Sequence, residues 1–195
     1  MSSNHSADYD VIAVGAGFAG ISLSYHLREA GFNVKVFDRA SDVGGTWAWN
    51  KYPGAATDSE SYYYCLTFSK EVLQEWSWSK RYSGWEETQS YLKFVMDKFA
   101  LWPMFQLSTE VEGAEFDNET ELWNVRTQGG ETHSAKYFVS AMGMISQPVL
   151  PNYSGQKRFQ GPIFHSSRWP EGLEVAGKRV GIIGAGATPV QMLPE

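Results

Sequence analysis

The order of residues 9–38 constrains this chain more than any other feature. The apolar run Tyr9-Asp10-Val11-Ile12-Ala13-Val14 leads straight into Gly15-Ala16-Gly17-Phe18-Ala19-Gly20, a G-x-G-x-x-G turn placed between a β-strand and a helix. Gly15 permits the tight turn, Gly17 lets a pyrophosphate approach the backbone, and Gly20 lets the helix pack closely on the strand. The pattern predicts a helix over 18–30, with Ile21, Leu23, Tyr25 and Leu27 mostly inward and Gly31 just past its end. Its N-terminus offers free N–H groups and a positive dipole end to phosphates. A second strand over 33–37 ends at Asp38, where a carboxylate accepts hydrogen bonds from the hydroxyls of an adenosine ribose. That favours an unphosphorylated ribose, as in FAD or NAD, although Arg39 beside it keeps a 2′-phosphate open. A glycine turn alone is also compatible with no ligand; strand, turn, helix, strand and acid in this order favour a nucleotide.

The rest of the chain reads as an α/β protein built on that unit. Helices are predicted over 71–78 and 86–99, a short strand over 104–107, and an antiparallel meander over 110–116, 122–127 and 131–134. A further apolar strand, 137–141, leads into Ala141-Met142-Gly143. The fold expected is a Rossmann-like FAD-binding domain, a parallel sheet with helices and a β-meander insert, followed by the start of a second Rossmann unit. That second unit begins with a strand over 178–183 and a turn containing Gly184 and Gly186, and it should serve a nicotinamide cofactor. Pro189 departs from the pattern: proline is tolerated in a first helical turn, but its ring fills the space the third small residue leaves for packing. The implied layout is a flexible N-terminus (1–8), an incomplete FAD-binding domain (9–150), a linker (151–177) and the opening of a nicotinamide-binding domain (178–195).

Charge and composition remove several function classes. A formal net charge of −6 and the lack of a Lys/Arg cluster argue against nucleic acid as a partner. No apolar stretch approaches the ~18 residues of a membrane span, and residues 1–8 lack the basic and apolar regions of a secretory signal. The single cysteine, Cys65, excludes an internal disulfide and fits a cytoplasmic protein. His5, His26, His133 and His165 show no ligand spacing with one another or with Cys65, so no metal site is expected. Ser166 and Ser167 beside His165 resemble a nucleophile and base only superficially, because no orienting acid is evident. Most of the eight tryptophans should simply be core.

Two further motifs carry a resemblance. Residues 44–58 read Gly-Gly-Thr-Trp-Ala-Trp-Asn-Lys-Tyr-Pro-Gly-Ala-Ala-Thr-Asp, and residues 159–170 read Phe-Gln-Gly-Pro-Ile-Phe-His-Ser-Ser-Arg-Trp-Pro. They resemble G-G-x-W-x-x-x-x-Y-P-G-x-x-x-D and F-x-G-x-x-x-H-x-x-x-W-P of the flavin-dependent Baeyer–Villiger monooxygenases. All five fixed positions of the second pattern match, with roughly 3 in 100,000 odds of chance occurrence, so coincidence explains it poorly. The resemblance runs from about Tyr9 to Glu195.

The resemblance implies an oxidoreductase that uses FAD and NADPH, with a small-molecule ketone and dioxygen as reactants and an ester or lactone as product, formed through a flavin C4a-peroxide. By residue, it implies FAD at Gly15, Gly17, Gly20, Asp38, Gly45, Thr46, Trp47 and Tyr52, and the nicotinamide cofactor at Gly184 and Gly186. Asp58 would sit by the flavin and help set a nearby arginine, while His165 and Trp169 would couple cofactor movement on the linker between the two nucleotide domains. As a plain residue, Asp58 is also a turn-capping aspartate. An N- or S-oxygenating flavin monooxygenase is the rival enzyme, against which the Trp169-Pro170 pair tells; a non-catalytic FAD-binding module is the rival of another class. Family chains run several hundred residues longer, so the expectation for 195 residues alone is weak FAD affinity and no turnover without further sequence or another chain.

Overall fold

A computed structural model describes residues 6–195; residues 1–5 of the expected flexible start, His5 included, lie outside the described residues. The sheet is built from β1 (Tyr9–Val14), β2 (Val34–Phe37), β3 (Phe105–Gln106), β4 (Val111–Asp117), β5 (Leu122–Thr127) and β6 (Thr132–Ser140). The helices are α1 (Phe18–Glu29), α2 (Thr46–Trp49), α3 (Lys70–Glu75), α4 (Trp85–Lys98) and α5 (Ala187–Met192). The six strands form one mixed sheet in the order β3-β2-β1-β6-β5-β4. β3, β2, β1 and β6 run parallel, and β5 and β4 continue antiparallel from β6.

β1 is apolar and buried from Val11 to Val14 because both of its faces are covered there. Val11 and Ala13 join Val34 and Val36 on the face that meets Leu23 and Leu27 of α1. Ile12 and Phe37 point the other way and pack with Val125 of β5 and Ala135 and Phe138 of β6. The largest core cluster lies beyond α1, where Ile21, Tyr91, Leu92, Val95 and Met96 of α1 and α4 close on Val43, Val72 and Leu101. Each such side chain contributes about 1.5–3 kcal/mol by leaving water. Gly31 ends α1 as expected: at φ 84° it donates to the Arg28 carbonyl at 2.9 Å while Phe32 donates to Leu27 at 3.0 Å, a Schellman closure.

Four local expectations change. The third meander strand and the apolar strand 137–141 are one element, β6, whose first half pairs with β5 and whose second half runs beside β1. The meander therefore extends the main sheet. α3 stops at Glu75 because Trp76 is extended, which turns the rings of Trp76 and Trp78 onto Tyr91 at centroid distances of 5.3 and 5.0 Å; tertiary packing overrides the local helical pattern. The strand expected over 178–183 does not form. Among the described residues no strand lies beside it, and an extended segment without a ladder partner leaves its N–H and C=O groups to water. Asp8, placed in the flexible start, is instead held: its carboxylate accepts from the Ser134 amide at 2.7 Å and hydroxyl at 2.9 Å.

Candidate functional site

The carboxyl ends of β1, β2 and β6 open into a cleft of about 750 Å³, the place where ligands bind open α/β sheets. Close backbone approaches build it. Gly15 is at φ 118°, and a Cβ there would run into the Ala141 carbonyl, since the Ala141 amide itself donates to Val14 at 2.8 Å. A Cβ on Gly20 would collide with the Gly15 carbonyl, so Gly20 sits behind the turn and sets how closely α1 meets β1.

Gly17 and Gly45 face each other. A Cβ on Gly45 would stand 2.9 Å from the Gly17 Cα, and one on Gly17 would stand 3.4 Å from the Gly45 Cα. The Gly44 amide also donates to the Ala16 carbonyl at 2.9 Å. The two glycine motifs, far apart in sequence but both read as FAD-binding, are thus one surface. Asp38 fixes that surface from below: its two oxygens accept from the Ala16 amide at 2.6 Å and the Ala40 amide at 2.7 Å. A carboxylate oxygen has two lone pairs, so each retains capacity for a ligand hydroxyl. The cradle fits a dinucleotide: side-chain-free backbone at the turn, a helix N-terminus behind it, and a buried carboxylate at the strand end.

Of the residues singled out from sequence, Gly15, Gly17, Asp38, Gly45, Thr46, Trp47, Tyr52 and Asp58 line this one cleft. Trp47 is buried and meets Tyr64 edge-on, with ring centroids 5.7 Å apart. Burial holds the Tyr64 phenol above its ordinary pKa, helped by the Asp58 charge and opposed by a hydrogen bond with Ser59. Gly184 and Gly186 stand outside the lining, but α5, which they introduce, brings Thr188 and Gln191 to it. No residue crowds the position a Cβ would take on Gly186, which leaves its backbone open to a ligand. Pro189 is the third residue of α5 and lies 3.9 Å from the Gly184 Cβ position, in ordinary contact.

His165 and Trp169 also stand outside the lining. His165 Nδ1 accepts from the Ser167 amide at 3.1 Å and caps the single 3-10 turn Ser166–Arg168. That turn carries Arg168 over the Trp49 ring at 4.0 Å, with Arg39 over the same ring at 5.6 Å. Burial, and then the Arg39 charge, hold the Arg168 pKa below its ordinary value. Trp169 packs edge-to-face on Phe164 at 5.2 Å. Gly161 leaves room for the Phe159 ring, which a Cβ would meet at 2.7 Å. Arg168, Thr188, Gln191 and Tyr64 were not singled out from sequence. Arg168 occupies a free position of the second motif, so only the fold gives it a role. Among the described residues, no group of three or more His, Cys, Asp or Glu side chains is placed to hold a metal.

A family model described as pyridine nucleotide-disulphide oxidoreductase matches residues 12–193, and the chain belongs to that family. Its relatives include Baeyer–Villiger and other FAD-binding monooxygenases. The chain is 46% identical over 188 residues to a Baeyer–Villiger monooxygenase of Pseudooceanicola batsensis, covering 96% of this chain and 34% of that protein. It is 44% identical over 194 residues to a phenazine N-monooxygenase of Lysobacter antibioticus, covering 99% and 36%. Among solved structures, an oxidized steroid monooxygenase bound to NADP superposes with a TM-score of 0.88 at 44% identity, over 95% of this chain and 36% of that one. OTEMO in complex with FAD and NADP superposes with a TM-score of 0.90 at 36% identity, over 97% and 37%. The chain spans about a third of the length of these relatives.

Proposed function

We propose that the chain is the FAD-binding unit, joined to the opening of an NADPH-binding unit, of a monooxygenase that inserts oxygen beside a ketone carbonyl to give an ester or lactone. The observation that carries this reading is the contact of Gly17 with Gly45, which makes one cleft of both glycine motifs with Asp38 and Asp58 on its walls. The names of the relatives point the same way. Residues 9–150 form the flavin unit, 151–177 the linker, and 178–195 the start of the nicotinamide unit.

In this reading the Gly15–Gly20 turn and the N-terminus of α1 hold the pyrophosphate, and the free lone pairs of Asp38 accept from the ribose. Gly45, Thr46, Trp47 and Tyr52 wall the flavin, with Asp58 the fixed negative charge beside it. Gly184, Gly186 and Thr188 face the nicotinamide cofactor. Bound there, the flavin supplies the redox and oxygen chemistry and NADPH supplies the electrons. The chain's own residues bind, orient and exclude water; His165 and Trp169 act by holding the linker, through the capped turn that seats Arg168 on Trp49.

The test is direct. The purified chain, titrated with FAD at equilibrium, should change the flavin fluorescence in a saturable way; fluorescence identical to free FAD up to saturating concentrations would sink the reading. One observation favours a second reaction, N-oxygenation, because a phenazine N-monooxygenase is nearly as similar as the Baeyer–Villiger relative. In the protein that carries this chain, ester from a ketone or N-oxide from a phenazine separates the two.

A further inference from the structure

The amide of Gln191, in the last turn of α5, is held by three hydrogen bonds to Tyr52 and Ala56 of the 44–58 motif. The Tyr52 hydroxyl donates to Gln191 Oε1 at 2.8 Å, the Ala56 amide donates to the same oxygen at 3.4 Å, and Gln191 Nε2 donates to the Ala56 carbonyl at 2.8 Å. Between them lies Gly54 at φ 73°, where a Cβ would run into the Gln191 carbonyl oxygen. The segment 52–56 is therefore shaped for one particular backbone and one side chain. Tyr52 is 6% exposed, so its hydroxyl has little water to turn to, and a buried hydroxyl without a partner is unfavourable. Ala56 lies two residues before Asp58, and Asp58, Thr188 and Gln191 all line the cleft.

We infer that Gln191 is a positioning residue that registers the second nucleotide-binding unit on the first, with the segment 52–56 as its receptor. Through α5 it fixes the Gly184–Gly186 turn relative to the loop that carries Asp58. Tyr52 then has a double part, its ring walling the cleft and its hydroxyl anchoring α5. The consequence for a bound flavin rests on the proposed cofactor site; the docking itself does not.

The experiment compares the chain with Gln191→Met, Tyr52→Phe, the double variant and Gly54→Ala. Hydrogen–deuterium exchange is followed at residues 54–58 and 187–193, and the visible circular dichroism of bound FAD is recorded. Gln191→Met keeps the length of the side chain and removes its hydrogen bonds, so exchange in both segments should rise roughly tenfold. The double variant should rise no further than the larger single variant, because both cut the same bond. Gly54→Ala should undock α5 with Gln191 and Tyr52 intact. In Gln191→Met and Gly54→Ala, FAD affinity should stay within about twofold while the dichroism of the bound flavin changes; a merely structural contact would leave that signature alone. Exchange within twofold of the parent in Gln191→Met and Gly54→Ala, additive effects in the double variant, or an unchanged flavin signature would each overturn the inference. A parent chain that binds no FAD would overturn the cofactor site and leave exchange to decide the docking.

Discussion

Replacing Gly17 by alanine separates the two roles that a glycine turn combines. Gly17 has φ −90° and ψ −167°, a conformation open to any residue, so the substitution introduces no backbone strain. The new methyl would sit 3.4 Å from the Gly45 Cα, an ordinary contact. Loss of unfolded-state freedom stabilises by about 0.4–1 kcal/mol, and alanine in place of glycine at a helix N-cap costs a comparable ~0.5–1 kcal/mol. The two nearly cancel, which leaves the melting temperature within about 4 °C of the parent. The ligand has no such compensation, because the methyl stands on the surface the pyrophosphate must approach. FAD affinity should fall at least tenfold, about 1.4 kcal/mol. Gly20→Ala is the control: its Cβ would overlap the Gly15 carbonyl, forcing helix from strand at about 1–3 kcal/mol, so it loses stability as well as cofactor. Fluorescence quenching of FAD gives the affinity and calorimetry the stability. An FAD dissociation constant for Gly17→Ala within twofold of the parent, at unchanged stability, would refute the placement of the pyrophosphate.

Three other outcomes follow from the same geometry. Asp38→Ala strands the buried Ala16 and Ala40 amides, a loss of roughly 2–4 kcal/mol, and should lower the melting temperature by ~5–15 °C while abolishing FAD retention. Burial pushes the Tyr91 phenol up to about 12, against a hydrogen bond from the Leu66 amide that lowers it. A folded-state pKa above the ordinary 10 stabilises the protein below that value, and the stabilisation is lost as pH rises through about 12. Denaturant unfolding across that window should show the loss, and Tyr91→Phe should make the slope shallower. His165→Ala removes the cap on the Ser166–Arg168 turn, at ~1 kcal/mol, and releases Arg168 from Trp49; a changed tryptophan emission with FAD still bound is expected, and an unchanged one would show that the cap does not hold the turn.

The β1-α1-β2 unit is legible in the order of residues 9–38. A strand, a glycine turn and an amphipathic helix are set by residues within a few positions of one another, and the schedule of apolar side chains and glycines writes them plainly. The Schellman end of α1 at Gly31 is legible for the same reason. The expectation that Gly15, Gly17, Asp38, Gly45 and Asp58 share a site came from motifs, and the fold places them on one cleft. Their reasons for being there did not all come from sequence. Gly45 has no Cβ partly because Gly17 is there, and Asp38 spends two lone pairs on the turn it was expected to leave free for a ribose.

Other features depend on contacts between distant parts of the chain. β6 reads as two strands because its polar first half pairs with β5, whereas its second half, with Phe138 and Val139, runs beside β1 in the parallel part of the sheet; a change of partner along one strand looks like a break. Trp76 and Trp78 leave the helical pattern to reach Tyr91. Residues 178–183 have the composition of a strand but, among the described residues, no neighbour with which to make a ladder, and a strand exists only by its partner's hydrogen bonds. The grip of Tyr52 and Ala56 on Gln191 spans 139 and 135 residues. No periodicity or local propensity records such a contact, because a glutamine on a short helix is unremarkable until the fold brings a hydroxyl and a peptide group to its amide.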